Sequence, residues 1–565
     1  MSQIAARVPD SSFGGDKEPM LAGSRQVAHI VSVAGAKAVA VIEQTSSQAE
    51  RRTERIEIGT VTKIATPRSV VIGLVTAVST PMPENTQNRQ EIELAELTLA
   101  GEITVGWDDR LSFRRGVAHM PTVGDPVYLA DSGDLRVVYL QPGDAALEIG
   151  TLYQDPDIPA RVLMDELLGK HFSIVGTTGC GKSSALTCIL QSVLDEYRHA
   201  RMVILDIHNE YPNAFADKAE LLDTGNLQLP FWLLNFQELA AALVSTEDTR
   251  DAEIEILSEA VLTAKRRYSD AQAGRLRKQT DSIGITVDTP IPFRLSDVVA
   301  YIDERMGKLE RVRSTLPYRR LTNRIDAFIA DPRYSFMFGS LLIEDTMAEI
   351  MARIFRVPAA GRPITVINLS AVPPDIMDVV ISLLSRLAFD LAVWSQGRVP
   401  LLLVCEEAHR YAPAGQDNVF LPTRASLARI AKEGRKYGVS LALITQRPSE
   451  LDPTILSQCS TVVAMRLSTE RDQEVVRANT HEGAFDLLDF LPLLADREAI
   501  ILGQGVVMPM RVRFRNLAVG KPASTGHTGF SDSWKTARFT MESLEEVVRH
   551  WRLSTKTTKS GNASS

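Results

Sequence analysis

Cysteine is scarce in this 565-residue chain: four residues, Cys180, Cys188, Cys405 and Cys459, none forming a CxxC pair. That spacing suggests no disulfide framework. Aromatic residues are few, at 6%. No apolar run approaches the roughly 18 residues a bilayer-crossing helix needs. The first 25 residues hold Asp, Glu, Pro and Gly without a continuous apolar stretch, so they do not read as a secretory signal. A general excess of positive charge is missing too. Lys plus Arg is 62 against 70 for Asp plus Glu, a formal net charge of -8, so any contact with nucleic acid has to be local. These absences predict a soluble, cytoplasmic protein that makes no use of a membrane.

What is present is ordinary globular composition, 44% hydrophobic and 23% charged, in a pattern that changes along the chain. Residues 1–25 read as a flexible leader. From 26 to 155, short β-rich runs broken by Gly and Pro (Ala38 to Glu43, Ser69 to Val78, Glu91 to Leu99, Pro126 to Leu129, Leu135 to Leu140) predict a small N-terminal antiparallel β-barrel or sandwich, the barrel being the expectation taken forward. Between 156 and 515 apolar strands alternate with amphipathic helices, which predicts a doubly wound α/β core. The alternation pauses at about 215–345, where a helical insertion is expected. Residues 516–565 read as a linker, a helix and a disordered tail.

The first chemical signal is Gly176-Thr-Thr-Gly-Cys-Gly-Lys-Ser183, a GxxxxGK[ST] loop after an apolar strand and before an amphipathic helix. In that context glycines let backbone N–H groups wrap phosphates at a helix N-terminus. Gly176, Thr177, Thr178, Gly179, Cys180, Gly181, Lys182, Ser183 and Ser184 are the expected nucleotide-binding set. Lys182 would reach the β- and γ-phosphates of ATP, and the Ser183 hydroxyl would take a Mg²⁺ position. The second signal is Leu401-Leu-Leu-Val-Cys-Glu-Glu-Ala-His409, in which an apolar strand delivers two carboxylates to its C-terminal edge. Glu406 is expected to hold hydrated Mg²⁺ and Glu407 to polarise the attacking water. Gln446, at the end of the run Leu441 to Thr445, could sense the γ-phosphate. Arg435, near the end of a helix, is either a phosphoryl-stabilising arginine or a helix C-cap charge.

Taken together these motifs resemble the HerA branch of the HerA/FtsK family of hexameric P-loop motors. The likeness lies in K-H-F-S-I-V before the loop, L-D-I-H-N-E-Y (Leu205 to Tyr211), C-E-E-A-H (Cys405 to His409), E-G-R-K-Y-G (Glu433 to Gly438) and T-Q-R-P (Thr445 to Pro448), and covers roughly residues 27 to 520. The resemblance implies that the α/β core is a RecA-like P-loop core and that the β-rich region is the family's HAS-type barrel. It implies that Arg435 is an arginine finger reaching a neighbouring subunit's ATP, that Lys170 touches phosphate, and that the loop near Gly503 to Val507 borders the adenine. The family's second-strand motif commonly reads Asp-Pro-His-Gly-Glu. Here it is Asp206-Ile-His-Asn-Glu210, which keeps the acids Asp206 and Glu210 without the Pro and Gly.

Two functions follow as expectations. The first is a homo-hexameric ATPase that translocates or unwinds double-stranded DNA through a central pore, with a nuclease or other effector docked on the barrel face, in DNA end processing or phage defence. The alternative is an ATP-gated hexameric platform that organises and activates an effector without processive translocation. A secretion or conjugation ATPase is a third reading, weakened by the lack of a membrane segment. Two basic clusters in the helical insertion are candidates for DNA: Lys265, Arg266, Arg267, Arg275, Arg277 and Lys278, and Arg311, Arg313, Arg319, Arg320 and Arg324.

Overall fold

The structure, a computed structural model of the chain, describes residues 25–43, 56–80, 92–105, 110–140, 145–215, 217–244, 248–276, 284–307, 315–339, 343–415, 421–480 and 485–516, with positions 541, 542, 544, 545 and 549 beyond them. The expected leader, and most of the expected C-terminal linker, helix and tail, lie outside the described residues. So do Arg277, Lys278, Arg311 and Arg313. The chain packs as two compact units. One contains Met1–Leu167, Ile174–Ser192 and Ser460–Asn516; the other contains Leu168–Ser173, Val193–Cys459 and Leu517–Ser565. Among the described residues no helix is long and apolar enough to cross a membrane.

The first unit opens with strands β1 (Gln26–Ala34), β2 (Lys37–Ile42), β3 (Val61–Ala65), β4 (Val70–Ser79), β5 (Leu94–Val105), β6 (Leu111–Arg115) and β7 (Pro126–Leu129). They pair in the order β2-β1-β7-β3-β4-β5-β6, and a further β2–β5 pairing, Lys37↔Thr98 to Val41↔Leu94, closes six of them into a barrel. Closure removes the open edges that would otherwise template aggregation. The interior holds Ala28, Ile30, Ala38, Ala40, Ile64, Val71, Val75, Ala95, Leu97 and Val127. Small alanines on β1, β2 and β5 leave room for branched side chains from β3 and β4. Register shifts at Ile72/Gly73 and Val75/Ala77 let β4 bend around this core.

Leu135 to Leu140, expected as a strand, is a helix, α1 (Ser132–Tyr139). A reciprocal capping box explains it. Asp134 N–H donates to Asp131 Oδ1 at 3.0 Å, and Asp131 N–H donates to Asp134 Oδ2 at 2.9 Å. The buried Lys63 ammonium then fixes Asp134 at 2.7 Å. The same unit carries an antiparallel ladder running Thr461–Ala464, Glu498–Gly503, Met510–Phe514, Ala146–Leu152, Pro159–Leu163. Ala146–Leu152, in the stretch expected for the barrel, therefore pairs with a strand near residue 512 instead.

The second unit is built on a parallel sheet in the order Ala219–Leu222, Ile364–Asn368, Met202–Asp206, Leu401–Cys405, Val439–Thr445. The four strands after the first read as near-continuous apolar runs, as burial on both faces requires. Ala219–Leu222 was expected inside the helical insertion. Its Ala-Glu-Leu-Leu sequence carries no β-signal, and pairing with Ile364–Asn368 makes it a strand. The insertion is otherwise helical, with helices Phe236–Leu243, Arg250–Leu276, Leu295–Gly307 and Leu316–Ala330. A buried ion pair anchors it. Glu238, fully buried, accepts from Arg386 Nη2 at 2.9 Å and Ser382 Oγ at 2.8 Å.

The insertion also consumes much of the charge expected to face DNA. Lys265 is 1% exposed, and its ammonium donates to the carbonyls of Val287 (2.6 Å) and Thr289 (2.7 Å). Arg320 donates to Thr249 Oγ1 at 2.7 Å, and Arg324 to the Ala242 carbonyl at 3.1 Å. These three side chains make contacts within the insertion. Arg266, Arg267, Arg319 and Arg324 are exposed.

Candidate functional site

In the first unit the phosphate loop is shaped by its backbone. Gly179 and Gly181 have φ of +81° and +103°, conformations that L side chains rarely adopt. A Cβ at Gly176 would stand 2.7 Å from Cys180 Sγ. Thr177 N–H donates to the Arg466 carbonyl at 2.8 Å, and Arg497 N–H to the Cys180 carbonyl at 2.9 Å, which tie the loop at both ends. Burial pushes the Cys180 thiol up in pKa, so that sulfur packs as a small apolar group. Lys182 is 9% exposed and donates to its own loop at the Thr177 carbonyl, 3.2 Å away. The helix Lys182–Glu196 begins at that residue and points its free N–H groups at the loop. Thr178 and Gly179 are exposed, and Ser183 and Ser184 are partly so.

Arg466 was not singled out in the sequence. Its carbonyl receives Thr177, and its guanidinium pairs with Asp496 at 2.8 Å. The loop Gly503 to Val507 is gripped by Arg115 of the barrel strand β6, whose guanidinium donates to the carbonyls of Gly503, Val506 and Val507 at 2.9–3.1 Å. A separation near 390 residues hides that contact from sequence reading.

In the second unit parallel pairing brings the strand ends to one edge. Leu205 is level with Cys405, and Cys405 with Leu443, so Asp206, Glu406, Glu407 and Gln446 follow at the C-terminal rim. Asp206 is fully buried and accepts the N–H groups of Glu210 and Tyr211, both at 3.1 Å. Glu407 sits in a left-handed turn at φ 49° that swings both carboxylates out of the strand. Glu406 and Glu407 are 3% and 7% exposed, and Oε2 of each lacks a hydrogen-bond partner among the described residues. Burial, with Asp206, Glu210 and Glu407 facing it, pushes the Glu406 carboxyl up to about 10.

Crowded carboxylates with unsatisfied buried oxygens are what a hard cation neutralises, so the residues fit Mg²⁺. Among the described residues no three His, Cys, Asp or Glu side chains form a metal cage. His409, which the sequence reading assigned no role, stands beside this edge. Its Nδ1 is 3.3 Å from Glu407 Oε2 and 3.0 Å from Thr445 Oγ1, linking the acidic turn to the strand that precedes Gln446. Gln446 is partly exposed.

Arg435 lies near the end of helix Leu421–Tyr437, which Gly438 stops at φ +81°. Its side chain is exposed, and its guanidinium makes no hydrogen bond or ion pair among the described residues. Gly438 supplies the backbone stop of this helix, and Arg435 and Lys436 lie in its last turn. Lys170 is partly exposed, two residues before the strand Phe172–Val175.

Comparison with known proteins gives the following likenesses. Residues 147–388 match the family model described as the central domain of helicase HerA. The DNA double-strand break repair helicase HerA of Pyrococcus furiosus is 27% identical over 449 residues, covering 72% of this chain and 76% of that protein. Its counterpart in Sulfurisphaera tokodaii is 26% identical, over 85% of this chain and 92% of its own. The chain is thus similar to HerA-type helicases over most of its length. Among solved structures, VirB4 of Thermoanaerobacter pseudethanolicus matches with a TM-score of 0.45 at 16% identity, over 66% of this chain and 98% of that one. The plasmid coupling protein TrwB in complex with ADP and Mg²⁺ matches with a TM-score of 0.44 at 15% identity, over 70% of this chain and 94% of its own.

Proposed function

We propose that this HerA-type chain is an ATP-driven DNA translocase or helicase that works as a homo-hexamer. The observation that carries the catalytic part is the pair Glu406 and Glu407, buried with unpaired oxygens at the rim of a parallel sheet. In this reading backbone N–H groups from Gly176 to Ser184 hold the ATP phosphates. Lys182 leaves the Thr177 carbonyl for the β- and γ-phosphates, and Lys170 adds charge. Ser183 and Glu406 hold Mg²⁺, with Asp206 and Glu210 shaping the acid edge. Bound there, Mg²⁺ would neutralise charge that develops as the γ-phosphoryl leaves. Glu407 aligns the attacking water, and Gln446 reads whether the γ-phosphate is present.

Arg435 acts in trans as the finger of a neighbouring subunit. Its exposure and lack of an intramolecular partner among the described residues support this. So does Trp394, 85% exposed at the end of helix Pro374–Trp394. Thr423 Oγ1 bonds the Asp378 carbonyl near the starts of the two helices and Phe389 meets Tyr437 near their ends, so Trp394 and Arg435 share one end of a parallel pair. An exposed Trp and an exposed Arg at the same end of two packed helices have the composition of an interface anchor.

The platform reading is favoured by a different observation. Lys265, Arg320 and Arg324 make hydrogen bonds within the insertion, while the barrel exposes the apolar side chains Val123 (70%), Met120 and Ile92 (48% each), available to a nuclease or other effector. Duplex DNA should raise the rate of ATP hydrolysis and support directional strand displacement or roadblock removal. Hydrolysis indifferent to DNA, with an effector activated by the ATP-bound ring, would select the platform.

A further inference from the structure

His171 is 3% exposed in the second unit and is used by none of the roles above. Its Nδ1 accepts the N–H of Leu441 at 2.9 Å. With that nitrogen accepting, the ring proton sits on Nε2, which donates to the Ala431 carbonyl at 3.0 Å. Burial lowers the pKa of the ring, in keeping with a neutral imidazole. Ala431 lies one turn before Arg435, and in an α-helix its carbonyl is the one that receives the Arg435 N–H. Leu441 lies in the strand Val439–Thr445 that leads to Gln446. His171 itself is five residues before Gly176.

Gly434 supplies independent evidence that this junction is built to be tight. A Cβ there would be 2.6 Å from the Val439 carbonyl oxygen, 3.0 Å from Ile430 Cγ2 and 3.5 Å from His171 Cε1. Only glycine lets the helix close on the strand and the imidazole at this point. One ring therefore fastens the helix of Arg435 to the strand of Gln446, a few residues before the phosphate loop begins.

We propose that His171 is a positioning residue that sets Arg435 in register with its own subunit's Gln446 strand, so that the finger offered to a neighbour follows the nucleotide state of the subunit that offers it. This rests on the trans-finger reading of Arg435. A buried histidine that merely satisfied two backbone groups would affect stability alone.

The test is ATP hydrolysis by full-length protein in mixed rings with DNA present, subunit exchange being verified with tagged chains. His171→Ala is expected to slow hydrolysis about 10- to 100-fold, the cost of a misplaced catalytic group, with ATP affinity within about twofold of wild type. Mixing it with Lys182→Ala, whose finger is intact, should restore activity; mixing it with Arg435→Ala should not. The reverse pattern, rescue by Arg435→Ala and none by Lys182→Ala, would show that His171 serves its own phosphate loop and overturns the proposal. So would a variant that melts earlier yet keeps its turnover. Arg435→Ala mixed with Lys182→Ala is the control: no recovery there removes the trans finger itself, and the role of His171 with it. Should His171→Ala not fold, two conservative variants decide. His171→Gln keeps a donor near Nε2 for Ala431, and His171→Asn keeps an acceptor near Nδ1 for Leu441. The Gln variant should turn over faster; equal rates overturn the proposal.

Discussion

The phosphate loop and the acidic edge solve opposite problems with opposite materials. In the function proposed above, the loop attracts an anion with backbone, so its side chains can vary. Thr178 is exposed and Cys180 acts as filler, while the shape depends on φ of +81° and +103° at Gly179 and Gly181. In the same proposal the edge holds a cation and a water, and it does so with side chains. Glu406 and Glu407 are buried, mutually repulsive and left with unpaired oxygens. A backbone site is sensitive to added atoms. A side-chain site is sensitive to removed charge and carries a standing cost in stability.

The largest effect should come from removing charge at the edge. Glu407→Gln is expected to bind ATP normally and to hydrolyse it about a thousandfold more slowly, as befits loss of a water-positioning group. Lys182→Ala should instead lose ATP affinity, which calorimetry separates from a turnover defect. Glu407→Gly removes both the carboxylate and the left-handed strain of a residue with a Cβ, worth about 1–3 kcal/mol. It should be inactive and yet melt later than wild type. An earlier melt would mean that Glu407 stabilises the fold, and the contrast between loop and edge would fail.

Adding atoms to the loop is the next test. Gly181→Ala combines a φ of +103° with a Cβ 3.2 Å from Arg497 Cγ and 3.4 Å from Arg497 N, whereas a Cβ at Gly179 meets nothing within 4 Å. Both substitutions bear a conformational penalty of about 1 kcal/mol. Only Gly181→Ala must also move a neighbour that ties the loop. ATP affinity should therefore fall roughly tenfold more for Gly181→Ala than for Gly179→Ala, about 1.4 kcal/mol. Equal losses would leave backbone conformation as the whole explanation.

These differences mark what could be read from sequence. The loop was legible because its chemistry is local: eight consecutive residues specify it. The acid edge was legible because apolar strands such as Leu401–Cys405 end abruptly in charge. His171 was not, since its partners Ala431 and Leu441 lie 260 and 270 residues away. His409 could have been found two residues after Glu407, but nothing in C-E-E-A-H says that its ring meets Thr445. Local pattern also misled. Leu135 to Leu140 has the composition of a strand, and a capping box made from Asp131 and Asp134 overrides it. The charge on Lys265 suggested a surface role until tertiary packing buried it.

Lys265 extends the contrast to a cation held by backbone. Its ammonium rests against the carbonyls of Val287 and Thr289, with the Phe293 ring 5.5 Å away, so neutral dipoles take the place of a carboxylate. Burial lowers its pKa to about 8, Asp288 opposing the shift and Arg386 adding to it. In the unfolded chain a lysine titrates near 10.4. Between about pH 8 and 10.4 the unfolded state therefore binds more protons than the native state, and the contribution of this residue to stability rises with pH. Below pH 8 both states are charged, and the native one bears the desolvation cost. Lys265→Met removes the titration and keeps most of the apolar stem. Chemical denaturation at pH 7 and at pH 10 should show the stability difference moving in favour of wild type at the higher pH, by up to about 3 kcal/mol. A difference that stays constant would mean that the two carbonyls stabilise the ammonium as well as water does. A backbone cradle would then serve a buried cation as fully as the phosphate loop is built to serve an anion.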